Sequence, residues 1–297
     1  MIPMDLVGKG MALSCAILWG LAIAFFKRSG DIMSPTQLNL YKTLLTTVLF
    51  IPILMITDPM TDGHELSEQH IAVLCLSGIL GIALADSLIF KCLNLLGAGL
   101  FGIIDCLYSP ILIAMSCILL STSLHFKEVL GSLLVVLAVL VATLRTRIAG
   151  ERHPHLMAGI ALGSLGMGLM AWSIILMKPI LEVASVWWVT GIRLMASACV
   201  LILMVAYKGQ LSKFVKVCMS RDSLKNALPG TLLGNFLAMT IWIAGFKYTD
   251  VHSAAVLNQT STIFIAVFAS LILKEAFNTR RIVATILAFC GAVIVIV

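Results

Sequence analysis

Four ionisable side chains lie inside otherwise apolar stretches of this 297-residue sequence: Lys42, Asp86, Asp105 and Arg193. A charge at the centre of a bilayer costs about 2.5–3.5 kcal/mol on insertion scales, so the four together cost roughly 10–14 kcal/mol. Mutual pairing, a water-filled cavity or both must offset that cost, and intramembrane charges usually mark a pathway. Polar and aromatic groups accompany them at helical spacing. Asn39 and Lys42 are i,i+3; Asp105 and Tyr108 are i,i+3; Asn235, Met239 and Trp242 run i,i+4,i+7. Residues so spaced share one helical face. The chemistry these types support is ligand binding. Lys42 and Arg193 are candidate anchors for an anionic group such as a carboxylate. Asp86 and Asp105 are candidates to pair with Lys42, to take a substrate ammonium or to carry a proton. Asn39, Tyr108, Asn235, Asn258 and Gln259 are candidates to orient a substrate by hydrogen bonds, and Trp242 offers a ring to stack on. With Lys42 charged and both acids ionised, their shared layer would carry −1, which makes protons a candidate coupling ion.

Catalytic and metal chemistry find little support. There is no HExxH, GxSxG or P-loop. The Gly-x-Gly-Asp of intramembrane aspartyl proteases is also missing, since Asp86 follows Ala83-Leu84-Ala85 and Asp105 follows Gly102-Ile103-Ile104. The sequence reads as a non-enzyme. Of the 8 cysteines only Cys218 sits in a polar loop; none forms CxxC, and no His cluster accompanies them, so they read as buried apolar residues. No metal or cofactor is expected. A lipid or lipid-precursor flippase, which needs a laterally open polar groove, is the competing reading; a membrane-embedded enzyme is the weaker one.

The elements that hold these residues follow from composition. The chain is 60% hydrophobic and 11% charged, against about 25% charged in soluble domains. Too little polar sequence remains to coat a soluble core, and nucleic-acid binding is excluded with it. At about 20 apolar residues per span, breaks at charged and Pro/Gly-bearing positions predict ten transmembrane helices: 8–26, 36–57, 70–91, 96–119, 127–144, 156–177, 186–206, 227–246, 251–273 and 280–297. The first apolar run ends in Lys27-Arg28 without a small-x-small cleavage site, so it reads as a retained helix. Basic residues report topology. Lys9, Lys127, Lys178 and Lys247 fall on one side. Lys27, Arg28, Lys91, Arg145, Arg147, Arg152, Lys208, Lys213, Lys216, Arg221, Lys225, Lys274, Arg280 and Arg281 fall on the other. The second side is expected to be cytoplasmic, with both termini on the opposite face of an inner (plasma) membrane. On this topology Lys42, Asp86 and Asp105 share one depth, while Arg193, Asn258 and Gln259 form a second layer entered from the other face.

The two halves are alike. Ser34 precedes Lys42 by the same interval that separates Ser185 from Arg193. Ser77-Gly78 corresponds to Pro229-Gly230, and Lys127-Glu128 to Lys274-Glu275. Five helices per half is an odd number, so the second copy inserts upside down. The expected fold is an all-α membrane protein of ten transmembrane helices in two inverted repeats, residues 1–147 and 156–297, an architecture of secondary transporters. Leu18-Trp19-Gly20, Tyr108-Ser109-Pro110, Lys127-Glu128, Lys274-Glu275 and the small and β-branched closing segment from Arg280 to Val297 resemble the drug/metabolite transporter superfamily, in its ten-helix EamA-like branch. The resemblance spans the whole chain. It implies export or exchange of a small metabolite, such as an amino acid, by a monomer or homodimer in the bilayer. One departure is Thr262, which stands where the first copy has Pro110.

Overall fold

The computed structural model describes residues 4–57, 66–119, 126–127, 129–131, 133–134, 136–138, 141, 155–249, 254, 257–258, 260–275 and 279–296. Gln259, Glu128 and Arg145, Arg147 and Arg152 lie outside the described residues. All regular structure among the described residues is helical. Among the described residues, six helices are long and apolar enough to cross a membrane: Leu6–Ser29, Pro35–Ile56, Glu68–Asp105, Leu156–Val183, Val186–Tyr207 and Ser223–Tyr248.

Local sequence explains where these helices start and bend. Helix α1 spans Met4–Ser29 and α2 Pro35–Ile56. Ser34 and Gln37 form a reciprocal capping box, and Pro35 at the first turn needs no N–H partner. Helix α3 (Glu68–Gly78), capped by Ser67, runs into a widened π segment, Ile79–Ala85, and on into α4 (Asp86–Asp105). The expected loop at 92–95 is absent. The chain reverses instead within α4 at Gly97, whose φ of 79° and ψ of 170° suit only glycine. The Glu275 carboxylate accepts the N–H groups of Ala98 at 2.8 Å and Gly99 at 2.9 Å, which satisfies two of the donors this break exposes. The fourth span is interrupted again at Cys106-Leu107 before α5 (Tyr108–Leu119). Pro110 explains the second interruption, because it offers Cys106 no N–H and its ring crowds that carbonyl.

Helices α6 (Leu156–Val183) and α7 (Val186–Tyr207) follow, then a short surface helix α8 (Leu211–Cys218). The next long run holds two π segments, Ser223–Ala227 and Thr231–Ala238, and ends in α9 (Met239–Tyr248). Helices α10 (Ser261–Leu273) and α11 (Thr279–Ile296) complete the described chain. Helix α1 packs on α9, α10 and the Thr231–Ala238 segment; α6 packs on α3, α4, α5 and the Ile79–Ala85 segment; α2 packs on α7. One apolar core joins residues from both parts of the sequence, including Phe26, Phe90, Phe101, Ile174 and Phe246.

Candidate functional site

The geometry of the site begins at the π segment Ile79–Ala85. A π turn leaves carbonyls out of the regular ladder, and buried carbonyls need donors. Asn39 supplies one: its Nδ2 lies 2.7 Å from Ile82 O, 3.1 Å from Ala83 O and 2.9 Å from Ser87 Oγ. One turn further along α2, Lys42 meets Asp86, the residue that follows the π segment. Lys42 Nζ donates to Asp86 Oδ2 at 2.7 Å and to Asn235 Oδ1 at 2.8 Å. Asn235 lies in the second π segment and returns its Nδ2 to Thr46 Oγ1 at 2.9 Å. The Lys42 and Asp86 side chains are only 2% and 8% exposed, so the pair is withdrawn from water. The amide of Asn235 thus links this ion pair to the second half of the chain.

Arg193 differs in kind. It is 1% exposed, yet no carboxylate lies within ion-pair distance of it among the described residues. Its Nη2 donates to Ser173 Oγ at 2.7 Å, its Nη1 lies 2.9 Å from Met177 Sδ, and its Nε has no hydrogen-bond partner among the described residues. Two glycines admit it. A Cβ on Gly78 would collide with the Arg193 backbone, and one on Gly81 would collide with Ser173 Oγ and come within 3.2 Å of Arg193 Nη2.

Asp105 is the counterpart of opposite sign. It is buried, and Ser261 Oγ, 3.4 Å from Oδ2, is its hydrogen-bond donor; no cation pairs with it among the described residues. Tyr108 stands on the other side of the Pro110 break, within electrostatic range of both Asp105 and Arg193. Its hydroxyl is buried without a hydrogen-bond partner among the described residues, as are Trp242 Nε1 and Asn258 Oδ1. The Tyr108 and Trp242 rings lie 6.0 Å apart, and Trp242 meets Phe246 edge-on at 5.3 Å.

These groups border one cavity of about 700 Å³, open mouth included. Asp86, Asp105, Tyr108, Arg193, Asn235, Trp242 and Asn258 all line it. Lys42 stands behind Asp86 and Asn235, and Asn39 is turned to the π segment; neither is among the lining residues. Members of both expected polar layers, Asp86 and Asp105 from one and Arg193 and Asn258 from the other, therefore share a single space. The glycine seat that brings Arg193 against the third span is the physical reason. Sequence reading quoted Trp19 in the Leu18-Trp19-Gly20 motif and not among the candidate site residues, and it gave no site role to Cys15, Met167, Met170, Ile82 or Ile89; all six also line the cavity. The methionines and isoleucines carry no signal that separates them from ordinary core residues. The wall is mostly apolar with a few convergent polar groups, as in small-molecule sites.

Comparison with known proteins bears on the family and the fold. Residues 6–144 and 157–297 each match the EamA-like transporter family. A protein of Archaeoglobus fulgidus described as an uncharacterized transporter is 23% identical over 273 residues, covering 92% of this chain and 91% of its own. A protein of known crystal structure superposes with a TM-score of 0.67 at 17% identity, over 97% of this chain and 96% of that one.

Proposed function

Because the chain belongs to the EamA-like transporter family, as a multi-pass membrane transporter, we propose that it is a ten-helix secondary carrier that exports or exchanges a small polar metabolite such as an amino acid. Two inverted five-helix repeats enclose the site. Three correspondences support that architecture. Helix α1 packs on the eighth and ninth spans as α6 packs on the third and fourth. π segments occur in both the third and the eighth. Lys27 Nζ donates to Asn94 O at 3.1 Å as Lys178 Nζ donates to Phe246 O at 2.7 Å, each joining the end of a half's first helix to the end of its third. The excess of Lys and Arg on one side favours an orientation with both termini away from the cytoplasm of a plasma membrane.

The observation that carries the substrate reading is the pattern of charge compensation. Lys42 and Asp86 neutralise each other, while Arg193 and Asp105 have no oppositely charged group within ion-pair distance among the described residues and face the same cavity. A buried charge without a partner is costly, and a ligand bearing both signs relieves both costs at once. Arg193 binds the substrate carboxylate with Tyr108 beside it. Asp105 takes the ammonium, or a proton when the substrate is absent. Trp242, Asn258 and Gln259 orient the rest, Asn235 ties the Lys42–Asp86 pair to the second repeat, and Asn39 holds the π segment that presents Asp86. The test is counterflow in proteoliposomes preloaded with individual proteinogenic amino acids. A carrier shows saturable uptake of labelled amino acid that depends on the internal one; uptake with neither property contradicts the proposal.

A further inference from the structure

The short helix α8 has three distinct faces. Phe214 is buried at 6% exposure and packs with Leu40, Ala83, Leu201 and Val205, while Val217 and Cys218 are half-buried beside it. This peg fixes the helix's rotation against the bundle. Leu211 and Val215, at i,i+4, continue to Met219 at the C-cap, and the three are 44%, 64% and 77% exposed. Ser212, Lys213 and Lys216 occupy the remaining face and are exposed. One face therefore meets protein, one is apolar and uncovered, and one is basic.

We infer that α8 is a lipid anchor that lies in the headgroup layer, with its apolar stripe among acyl chains and its lysines on anionic lipid headgroups. Two observations identify a bilayer as the occupant. The end of the preceding span is also uncovered and apolar, with Leu203 at 68% and Tyr207 at 94% exposure, so exposed apolar side chains flank the short connection on both α7 and α8. The charge is also one-sided: Lys213, Lys216, Arg221 and Lys225 are exposed, with Asp222 the one acid among them. An amphipathic helix with an apolar face and a basic face is the form that settles in an interface and prefers anionic lipid. The inference holds whatever the cavity carries, so its failure and that of the transport reading are distinguishable.

The full-length chain, its own cysteines replaced, carries Val215→Cys labelled with bimane and is reconstituted in phosphatidylcholine vesicles with increasing phosphatidylglycerol. Emission is expected to shift to the blue and to be quenched by lipids brominated on the acyl chain, increasingly as phosphatidylglycerol is added. Lys213→Gln/Lys216→Gln raises the phosphatidylglycerol fraction needed by roughly an order of magnitude, and Lys213→Arg/Lys216→Arg restores it. Thermal unfolding of the unaltered chain in nanodiscs gives a check independent of labelling: its midpoint rises with phosphatidylglycerol, and by less in the glutamine variant. A bimane label that brominated acyl chains do not quench overturns the inference, as does indifference of both readouts to phosphatidylglycerol. A shift that grows with protein-to-lipid ratio at fixed lipid composition overturns it too, because a second copy then covers the stripe.

Discussion

Arg193 and Lys42 are both buried cations, yet the account assigns them different effects on stability. Removing Lys42 leaves Asp86 buried without its partner, and breaking a buried pair costs about 3–5 kcal/mol. Removing Arg193 breaks no ion pair among the described residues, and Asp86, the carboxylate within electrostatic range of it, keeps Lys42. The Arg193→Met change relieves an insertion cost of about 2.5–3.5 kcal/mol and forfeits one charge-assisted hydrogen bond, to Ser173, of about 1.5–3 kcal/mol. Its expected net effect lies between a loss of about 0.5 and a gain of about 2 kcal/mol. Function falls regardless. The lost charge-assisted contact to a substrate carboxylate weakens half-saturation roughly 10- to 150-fold. Both quantities are accessible: reversible unfolding by SDS in mixed micelles gives stability, and counterflow gives half-saturation. The expected pattern is Arg193→Met stable but defective, Lys42→Met unstable, and Lys42→Met/Asp86→Leu restored in stability. If Arg193→Met unfolds as readily as Lys42→Met, or transports normally, the assignment of Arg193 to the substrate is refuted.

Other residues give separate tests. Asp105→Asn should abolish drive by an imposed pH gradient and, because Asp105 also takes the ammonium, leave counterflow only at raised substrate concentration, with half-saturation at least about tenfold higher; gradient-driven transport surviving in both Asp86→Asn and Asp105→Asn rejects proton coupling. Asn39→Leu removes the donor shared by Ile82 O, Ala83 O and Ser87 Oγ and is expected to cost about 1–3 kcal/mol in SDS unfolding; a change within about 0.5 kcal/mol, ordinary for surface substitutions, refutes the role given to its amide. Glu275→Ala uncaps Ala98 and Gly99, so the amides of those two residues should exchange with deuterium faster than in the unaltered chain. Unchanged exchange there, measured by mass spectrometry, shows that the carboxylate is not what holds the break at Gly97.

Much of this site could be read from residue types because polar groups in a bilayer are expensive and therefore few. Asp86, Asp105, Tyr108, Arg193, Asn235, Trp242 and Asn258 stand out against an apolar background, and all line the cavity. What escaped the reading was geometry that depends on backbone irregularity. Regular 3.6-residue periodicity carries no trace of the π segment at Ile79–Ala85, so Asn39 looked like a substrate ligand rather than the donor that serves freed carbonyls. The reversal at Gly97 was hidden because Ala98-Gly99 offers competing break points, and what stabilises the break is Glu275, 178 residues further along the chain. The merging of two expected layers into one cavity depends on Gly78 and Gly81, whose importance comes from what packs against them and not from their neighbours in sequence.

In the proposed carrier one cavity offers a cation, Arg193, and a carboxylate, Asp105, neither of them ion-paired among the described residues, to the same ligand. Calorimetric binding to the purified protein tests this most directly, by comparing the amino acid that gives the strongest counterflow with its decarboxylated amine and its deaminated acid. The account predicts that the amino acid binds at least about tenfold more tightly than either analogue, since each analogue leaves one buried charge without a partner. An amine or an acid that binds as tightly as the intact amino acid would contradict it.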